Sequence, residues 1–295
     1  MKTQGKGKVY LKMNGGLGNQ MFQWAFARMI HETTDMDVFL DMSFFSKPYA
    51  RPYQLKIFNL EPLFLDDSFV EFKLDLIWKL RNFVNIAPLL GMKFYQEKTF
   101  EFDKSISKIE PNTYIEGFFQ SDIYFKQFES QIRKDFMFVS PISKDNRELI
   151  AKMNNQNSIA IHIRRGDYVS KARYKNKYAH CSPEYYVKAV DYIAQKYPNP
   201  RVYVFSDDLK WAAQNIDLPY TCEYVGHNIG KASFEDMRLM SNCKHNVIAN
   251  STFSWWGAWL NENPEKIVVA PDKWFQDSSI IQTDIYPKNW VRLSN

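Results

Sequence analysis

The sequence predicts an α/β protein of two lobes, each a parallel sheet with helices packed against it. Three observations carry that expectation. The 295 residues exceed what one compact core usually holds and suit two domains of roughly 150 residues each. The first apolar run breaks at a glycine-rich turn and resumes at helical spacing, which is how an α/β unit opens. From residue 159 onward, short apolar runs alternate with amphipathic segments, the rhythm of a doubly wound parallel sheet.

In chain order, Val9-Tyr10-Leu11-Lys12-Met13 reads as a short buried strand that Asn14-Gly15-Gly16-Leu17-Gly18 interrupts. Asn19 opens a segment in which Met21, Phe22, Ala25, Met29 and Ile30 fall on one helical face. Val38 to Asp41 and Tyr114 to Phe119 read as further strands, with an aromatic, irregular stretch between them. Ser140-Pro141 and the polar cluster Asn154-Asn155-Gln156-Asn157 change the texture, and the domain boundary is placed near 150, giving lobes 1–150 and 151–295. The C-terminal end is left free to pack back on the first lobe. Strands are then expected at 159–164, 201–206, 222–225, 246–249 and 266–269, with helices at 183–196, 208–214, 233–242 and 252–261.

Composition excludes several classes. Hydrophobic residues make up 45% and charged residues 24%, close to globular averages, so disordered and fibrous classes drop out. No apolar run approaches the roughly 18 residues that span a bilayer. Lys2, Lys6 and Lys8 are not followed by an apolar core, so no signal peptide is expected and the cytosol is the expected location. Cys181, Cys222 and Cys243 include no CxxC pair and fit reduced packing thiols. The net charge of +5 suits a phosphate ligand or peripheral contact with an anionic inner membrane surface, and is too weak to indicate nucleic acid.

Candidate chemistry gathers at predicted strand ends. In Ile159-Ala160-Ile161-His162-Ile163-Arg164-Arg165-Gly166-Asp167, the period of two puts Ala160, His162 and Arg164 on one face. The charged end of that face meets the sheet's carboxyl edge, where open α/β sheets bind ligands. The planar fork of a guanidinium suits phosphate oxygens, so Arg164 and Arg165 read as a pyrophosphate clamp, or as partners of Asp167 and other carboxylates. Asn246 to Trp256 runs from a buried strand into a turn where Ser251, Thr252 and Ser254 either cap a helix or sit where its free N–H groups meet an anion. Trp255, Trp256 and Trp259 read as packing, and Asn250-Ser251-Thr252 is a glycosylation sequon only formally.

Glu235 and Asp236 fall in the first turn of a helix, where the dipole favours carboxylates. A carboxylate there could also accept two parallel hydrogen bonds from the N1 and amino donors of guanine. Asp207 and Asp208, after Val202 to Ser206, either contact ribose or cap the next helix. The only Asp-x-Asp, Asp35-Met36-Asp37, precedes its strand and reads as a surface turn, so no metal ligands are expected and metal independence is predicted.

Three blocks carry a resemblance: Gly15 to Gln23, His162 to Tyr168, and Asp236 to Trp256. Together they resemble the inverting α-1,2-fucosyltransferases of glycosyltransferase family 11, most of them bacterial, with weaker similarity to α-1,6- and protein O-fucosyltransferases. The resemblance implies a GT-B fold, two Rossmann-like lobes with a cleft between them, GDP-fucose on the C-terminal lobe and a β-galactoside acceptor in the cleft. It implies that Arg164 holds the β-phosphate, that His162 and Asp236 lie near the guanosine, that Thr252 and Ser254 take phosphate oxygens, and that Asn19 reaches across the cleft. The implied reaction moves L-fucose from GDP-β-L-fucose to O2 of galactose in O-antigen or cell-surface oligosaccharide synthesis, with no cofactor. A base for the acceptor is sought first at Asp167 and second at His162. The competing expectations are a GDP-fucose-dependent transferase of another linkage, another GDP-sugar transferase, or a non-catalytic carbohydrate-binding protein.

Overall fold

The computed structural model describes residues 7–60, 91–166 and 177–295. The chain divides into two compact units, Met1–Val139 with Thr283–Ile285, and Ser140–Gln282 with Tyr286–Asn295. The division after Val139 assigns the helix Lys144–Asn154 to the second unit, ahead of the boundary near 150 read from the sequence.

The first unit is built on four parallel strands, β1 (Gly7–Lys12), β2 (Met36–Asp41), β3 (Lys93–Gln96) and β4 (Thr113–Glu116), in the order β2-β1-β4-β3. Helix α1 (Leu17–Thr33) follows β1 and is buried almost all round between Leu17 and Ile30, as expected of a helix that is apolar on nearly every face. The entry turn needs glycine at position 15, whose φ of 82° is left-handed, a region that costs other residues free energy. Asp37 lies within β2 and pairs in register with Lys8, so Asp35-Met36-Asp37 is the amino-terminal end of a strand and not a surface turn. The strand expected to reach Phe119 stops at Glu116. Beyond it Phe119 adopts φ 54° and stacks on Phe26 of α1 at 3.6 Å between ring centroids.

Farther along, α2 (Glu129–Asp135) anchors α1 from the opposite side of the sequence. Asp135 accepts from Arg28 Nε at 2.8 Å and Nη2 at 3.0 Å, and from Trp24 Nε1 at 3.1 Å, with Arg28 and Asp135 each 1% exposed.

In the second unit, α3 (Lys144–Asn154) precedes a six-stranded parallel sheet of β5 (Ser158–Ile163), β6 (Arg201–Ser206), β7 (Thr221–Val225), β8 (His245–Val247), β9 (Val268–Pro271) and β10 (Val291–Leu293). The order is β10-β9-β8-β5-β6-β7, so the chain winds outward from β5 in one direction and then from β8 in the other. This is the Rossmann arrangement, and its direction reverses between β5 and β8. Helices α4 (Pro183–Ala194), α5 (Leu209–Asn215), α6 (Glu235–Asn242) and α7 (Thr252–Leu260) connect the strands. Ile159, Ile161, Ile163, Val202, Val204, Val247 and Val269 form the core with Tyr185, Val190 and Ile193 of α4. Every residue of β5 is buried, because a parallel strand in mid-sheet is covered on both faces. Ser182 starts α4 by accepting from Tyr185 N, with Pro183 in the first turn, as both residue types favour.

The α/β class, with two units each built on a parallel sheet, is therefore the one the sequence predicts. Cys181, Cys222 and Cys243 are free thiols. Among the described residues no helix is long and apolar enough to cross a membrane.

Candidate active site

The loops that leave β5, β6 and β8 meet at the carboxyl edge of the second unit's sheet, because β5 lies between the other two. His162, next to last in β5, pairs in register with Phe205 of β6. Its side chain is 7% exposed, its Nδ1 is buried without a hydrogen-bond partner, and its ring lies 5.8 Å from that of Phe253 in the first turn of α7. Burial pushes its pKa down to about 4, with Asp207 pulling upward and Arg164 adding to the depression. The imidazole is neutral at pH 7 and too weakly basic to gain much from proton transfer.

Beyond the strand, Arg164 Nη1 meets Asp207 Oδ2 at 2.8 Å. The other oxygen of Asp207 accepts from Arg165 N at 2.9 Å. Residue 166 must be glycine for this approach, since a Cβ there would lie 2.5 Å from Asp207 Oδ2. Arg165 turns the other way: its guanidinium lies 3.7 Å from the centroid of Trp211, and its Nε is 3.8 Å from Asp208 Oδ2. Asp208 caps α5 by accepting from Trp211 N at 3.1 Å. The two aspartates thus differ: Asp208 is the helix cap, and Asp207, expected at a ribose or a cap, holds the Arg164 guanidinium and the Arg165 backbone N–H.

The turn from β8 into α7 presents a helix N-terminus beside His162. Ser251 occupies the cap position, but its side chain makes no capping hydrogen bond. The first-turn N–H groups, which have no carbonyl partner within a helix, therefore lack a side-chain acceptor at the cap and form a ready anion site. Thr252 stands half-buried at the first helical position. Ser254 is fully buried, and its hydroxyl donates to Ser251 O at 3.2 Å and Ala249 O at 3.4 Å. That inward bonding removes Ser254 from the expected phosphate contacts in this arrangement. Asn250 is 2% exposed and its amide donates to Ala179 O at 2.7 Å and Trp274 O at 2.9 Å, which closes the formal sequon to glycosylation. Sequence reasoning passed over this role of Asn250 as the tie between three loops at the sheet edge. Trp255, Trp256 and Trp259 are buried and pack on one another.

Asp236 stands in the first turn of α6, the helix that returns from β7 to β8, and so lies toward the same edge of the sheet. Its Oδ1 accepts from Asn228 Nδ2 at 2.9 Å. Burial pushes its pKa up to about 7, the Asn228 hydrogen bond opposing and Glu235 adding to the rise. Asp167 lies outside the described residues. No group of three His, Cys, Asp or Glu side chains suited to a metal occurs among the described residues.

In the first unit, Asn19 Oδ1 accepts from Gln120 Nε2 at 3.0 Å. Two fully buried neighbours in the same block carry a role the sequence did not reveal. Gln20 donates to Gly15 O and Pro52 O at 3.0 Å each and accepts from Gln54 N, while Gln23 donates to Gly117 O at 2.9 Å and accepts from Asn14 N. They hold the glycine turn and the loop after β4. Polar amides among the apolar positions of α1 were the available signal.

The model of the family described as Glycosyl transferase family 11 matches residues 1–294. The chain belongs to that family. This family 11 glycosyltransferase is 32% identical to the alpha-1,2-colitosyltransferase of Escherichia coli over 293 residues, 97% of this chain and 98% of that enzyme. It is also 32% identical to an O-antigen biosynthesis glycosyltransferase of Escherichia coli over 313 residues, 97% of this chain and all of that one. The galactoside alpha-(1,2)-fucosyltransferase 1 of Rattus norvegicus is 25% identical over 159 residues, covering 51% of this chain and 42% of the rat enzyme. A crystal structure of an α-1,6-fucosyltransferase soaked with GDP-fucose superposes with a TM-score of 0.48 at 15% identity, over 86% of this chain and 92% of that one.

Within the second unit of the family 11 enzyme, the fold thus gathers His162, Arg164, Arg165, Asp207, Ser251 and Thr252 around the strand-order reversal. Asn19 belongs to the first unit.

Proposed function

We propose that the enzyme transfers L-fucose from GDP-β-L-fucose to O2 of a terminal β-galactoside with inversion, in the assembly of an O-antigen or cell-surface oligosaccharide. The observation that carries this reading is that the β5–β8 reversal brings Arg164, held by Asp207, and the uncapped N-terminus of α7 to the same edge of the sheet. Inversion requires one displacement, the acceptor hydroxyl entering opposite the departing GDP. Negative charge then grows on the β-phosphate, and a bidentate guanidinium together with aligned N–H groups stabilises it more in the transition state than in the bound donor. Asp207 keeps Arg164 at the edge until the diphosphate replaces it as the guanidinium's partner. Asp236 accepts from guanine, and Thr252 stands at the phosphates. Of the two base candidates, His162 is disfavoured by its depressed pKa, which leaves Asp167 as the residue to test.

A second reading is favoured by the colitosyltransferase similarity: GDP-colitose as the donor. Colitose is fucose without its 3-hydroxyl, and a site that hydrogen-bonds this hydroxyl rejects the deoxy sugar strongly. Incubation with GDP-fucose or GDP-colitose and a panel of β-galactosides, followed by linkage analysis, separates the readings. An α-1,2-fucosylated product from GDP-fucose, with colitose transferred poorly, is the expected result. The reverse preference would install the second reading, and a different linkage would overturn the acceptor assignment.

We further propose that the reaction needs no divalent ion, since Arg164 and the α7 N-terminus supply the positive charge at the diphosphate. Turnover is expected to persist in excess EDTA. Loss of turnover in EDTA, restored by Mn²⁺ or Mg²⁺, would contradict this.

A further inference from the structure

The loop after β7, the start of α3 and the start of α6 meet in a polar cluster of which the proposed function uses only Asp236. Ser143 caps α3 by accepting from Asn146 N, which sets Asn146 in the helix's first turn, fully buried. Asn146 Nδ2 donates to Asn228 Oδ1 at 3.0 Å and to Glu235 Oε2 at 3.4 Å. Its Oδ1 meets His227 Nε2 at 2.6 Å and accepts from Asn228 Nδ2 at 3.3 Å. The same Asn228 amide donates to Asp236 Oδ1 at 2.9 Å. Both ends of the Asn228 side chain are therefore engaged, and its orientation is determined by a buried partner on another helix.

We propose that Asn228, locked by Asn146, is a positioning residue for base recognition, holding Asp236 turned and ionised to accept the two parallel hydrogen bonds of guanine. This rests on the reading of Asp236 as the guanine contact. Burial works against an ionised Asp236, and so does Glu235 beside it on α6, although Glu235 is itself paired with Arg238 at 3.3 Å. From the loop after β7, Asn228 supplies the opposing hydrogen bond, while His227 faces Asn146 rather than the carboxylate. From α3 comes Asn146. The remaining helix packed along α6 is α7, which carries no ionisable side chain. A hydrogen bond to the charged form of a carboxylate favours that form. Without the Asn228 donor, Asp236 takes up its proton at a higher pH, and a protonated acid cannot accept from both guanine donors.

The test is calorimetric titration of the whole enzyme with GDP between pH 5.5 and 8.5, for the unaltered protein and for Asn228→Ala, Asn228→Asp and Asp236→Asn. Affinity of the unaltered protein is expected to rise with pH through neutrality. In Asn228→Ala the rise moves up by roughly one pH unit, so that binding is about fivefold weaker at pH 7 and recovers by pH 8.5. Asn228→Asp, which puts a like charge beside Asp236, moves it at least as far. Asp236→Asn binds weakly with no rise, which also excludes His227 as its source. A loss in Asn228→Ala that is uniform across pH would overturn the positioning role while leaving Asp236 as the base contact. Unchanged GDP affinity in Asp236→Asn would overturn the base contact itself, and the role of Asn228 with it.

Discussion

Arg164→Lys is expected to lower turnover by on the order of a hundredfold, the scale of losing one donor to a developing oxyanion. Lysine keeps the charge, so the electrostatic attraction to Asp207 and to a diphosphate survives. What disappears is the planar fork that can engage two oxygens at once. Because the β-phosphate gains its charge as the sugar–phosphate bond breaks, the loss belongs to the transition state, and kcat should fall more than GDP-fucose affinity. Steady-state kinetics alongside calorimetry with GDP-fucose distinguishes this from a simple binding defect. Near-normal turnover in a folded Arg164→Lys protein would move the clamp elsewhere. Arg165 would then be next, although its stacking on Trp211 and proximity to Asp208 turn it away from Arg164's partner.

How far the sequence could be read depends on the range of the interactions that decide each feature. Strand alternation is local, so β5 was legible, with His162 next to its carboxyl end and Arg164 immediately beyond it. The alternation of β5 through β9 with their helices likewise declared a parallel sheet. Roles decided by distant partners were invisible. Asp207 and Asp208 are adjacent and chemically identical, yet one caps α5 while the other reaches back to Arg164, a difference created by the β5–β6 pairing and the missing side chain at Gly166. Ser254 looked like a phosphate ligand because residue type says nothing about which way a hydroxyl rotates, and its bonds run inward to its own turn. The strands β3 and β10 were passed over for a different reason. Each is a short edge strand with largely exposed or half-exposed residues, so neither carries the apolar run or the alternation that marks a buried strand. Gln20 and Gln23 also bond distant backbone, Pro52 O and Gly117 O, beside their local partners at Gly15 and Asn14.

Those two glutamines act from α1, so the helix must be held firmly, and Asp135→Ala is expected to show how. The substitution leaves the Arg28 guanidinium, 1% exposed, without its bidentate partner and takes an acceptor from Trp24 Nε1 and from the Gln131 amide, which donates to Asp135 Oδ1 at 2.9 Å. Breaking one side of a buried pair costs about 3–5 kcal/mol, because the remaining charge stays desolvated and uncompensated. That is a large part of the roughly 5–15 kcal/mol that holds a typical domain together. Glu32 limits the damage only slightly: it lies 3.6 Å from Arg28 Nη1 on the exposed side of α1 and cannot replace the paired geometry at Nε and Nη2. Replacing both partners by apolar residues, Arg28→Met with Asp135→Leu, removes the stranded charge and should recover most of the loss. Urea unfolding of the two variants measures both effects. A loss below about 1 kcal/mol in Asp135→Ala would mean that Glu32 or entering water satisfies Arg28, and that the grip on α1 comes from its apolar faces, with Phe26 against Phe119 foremost among them.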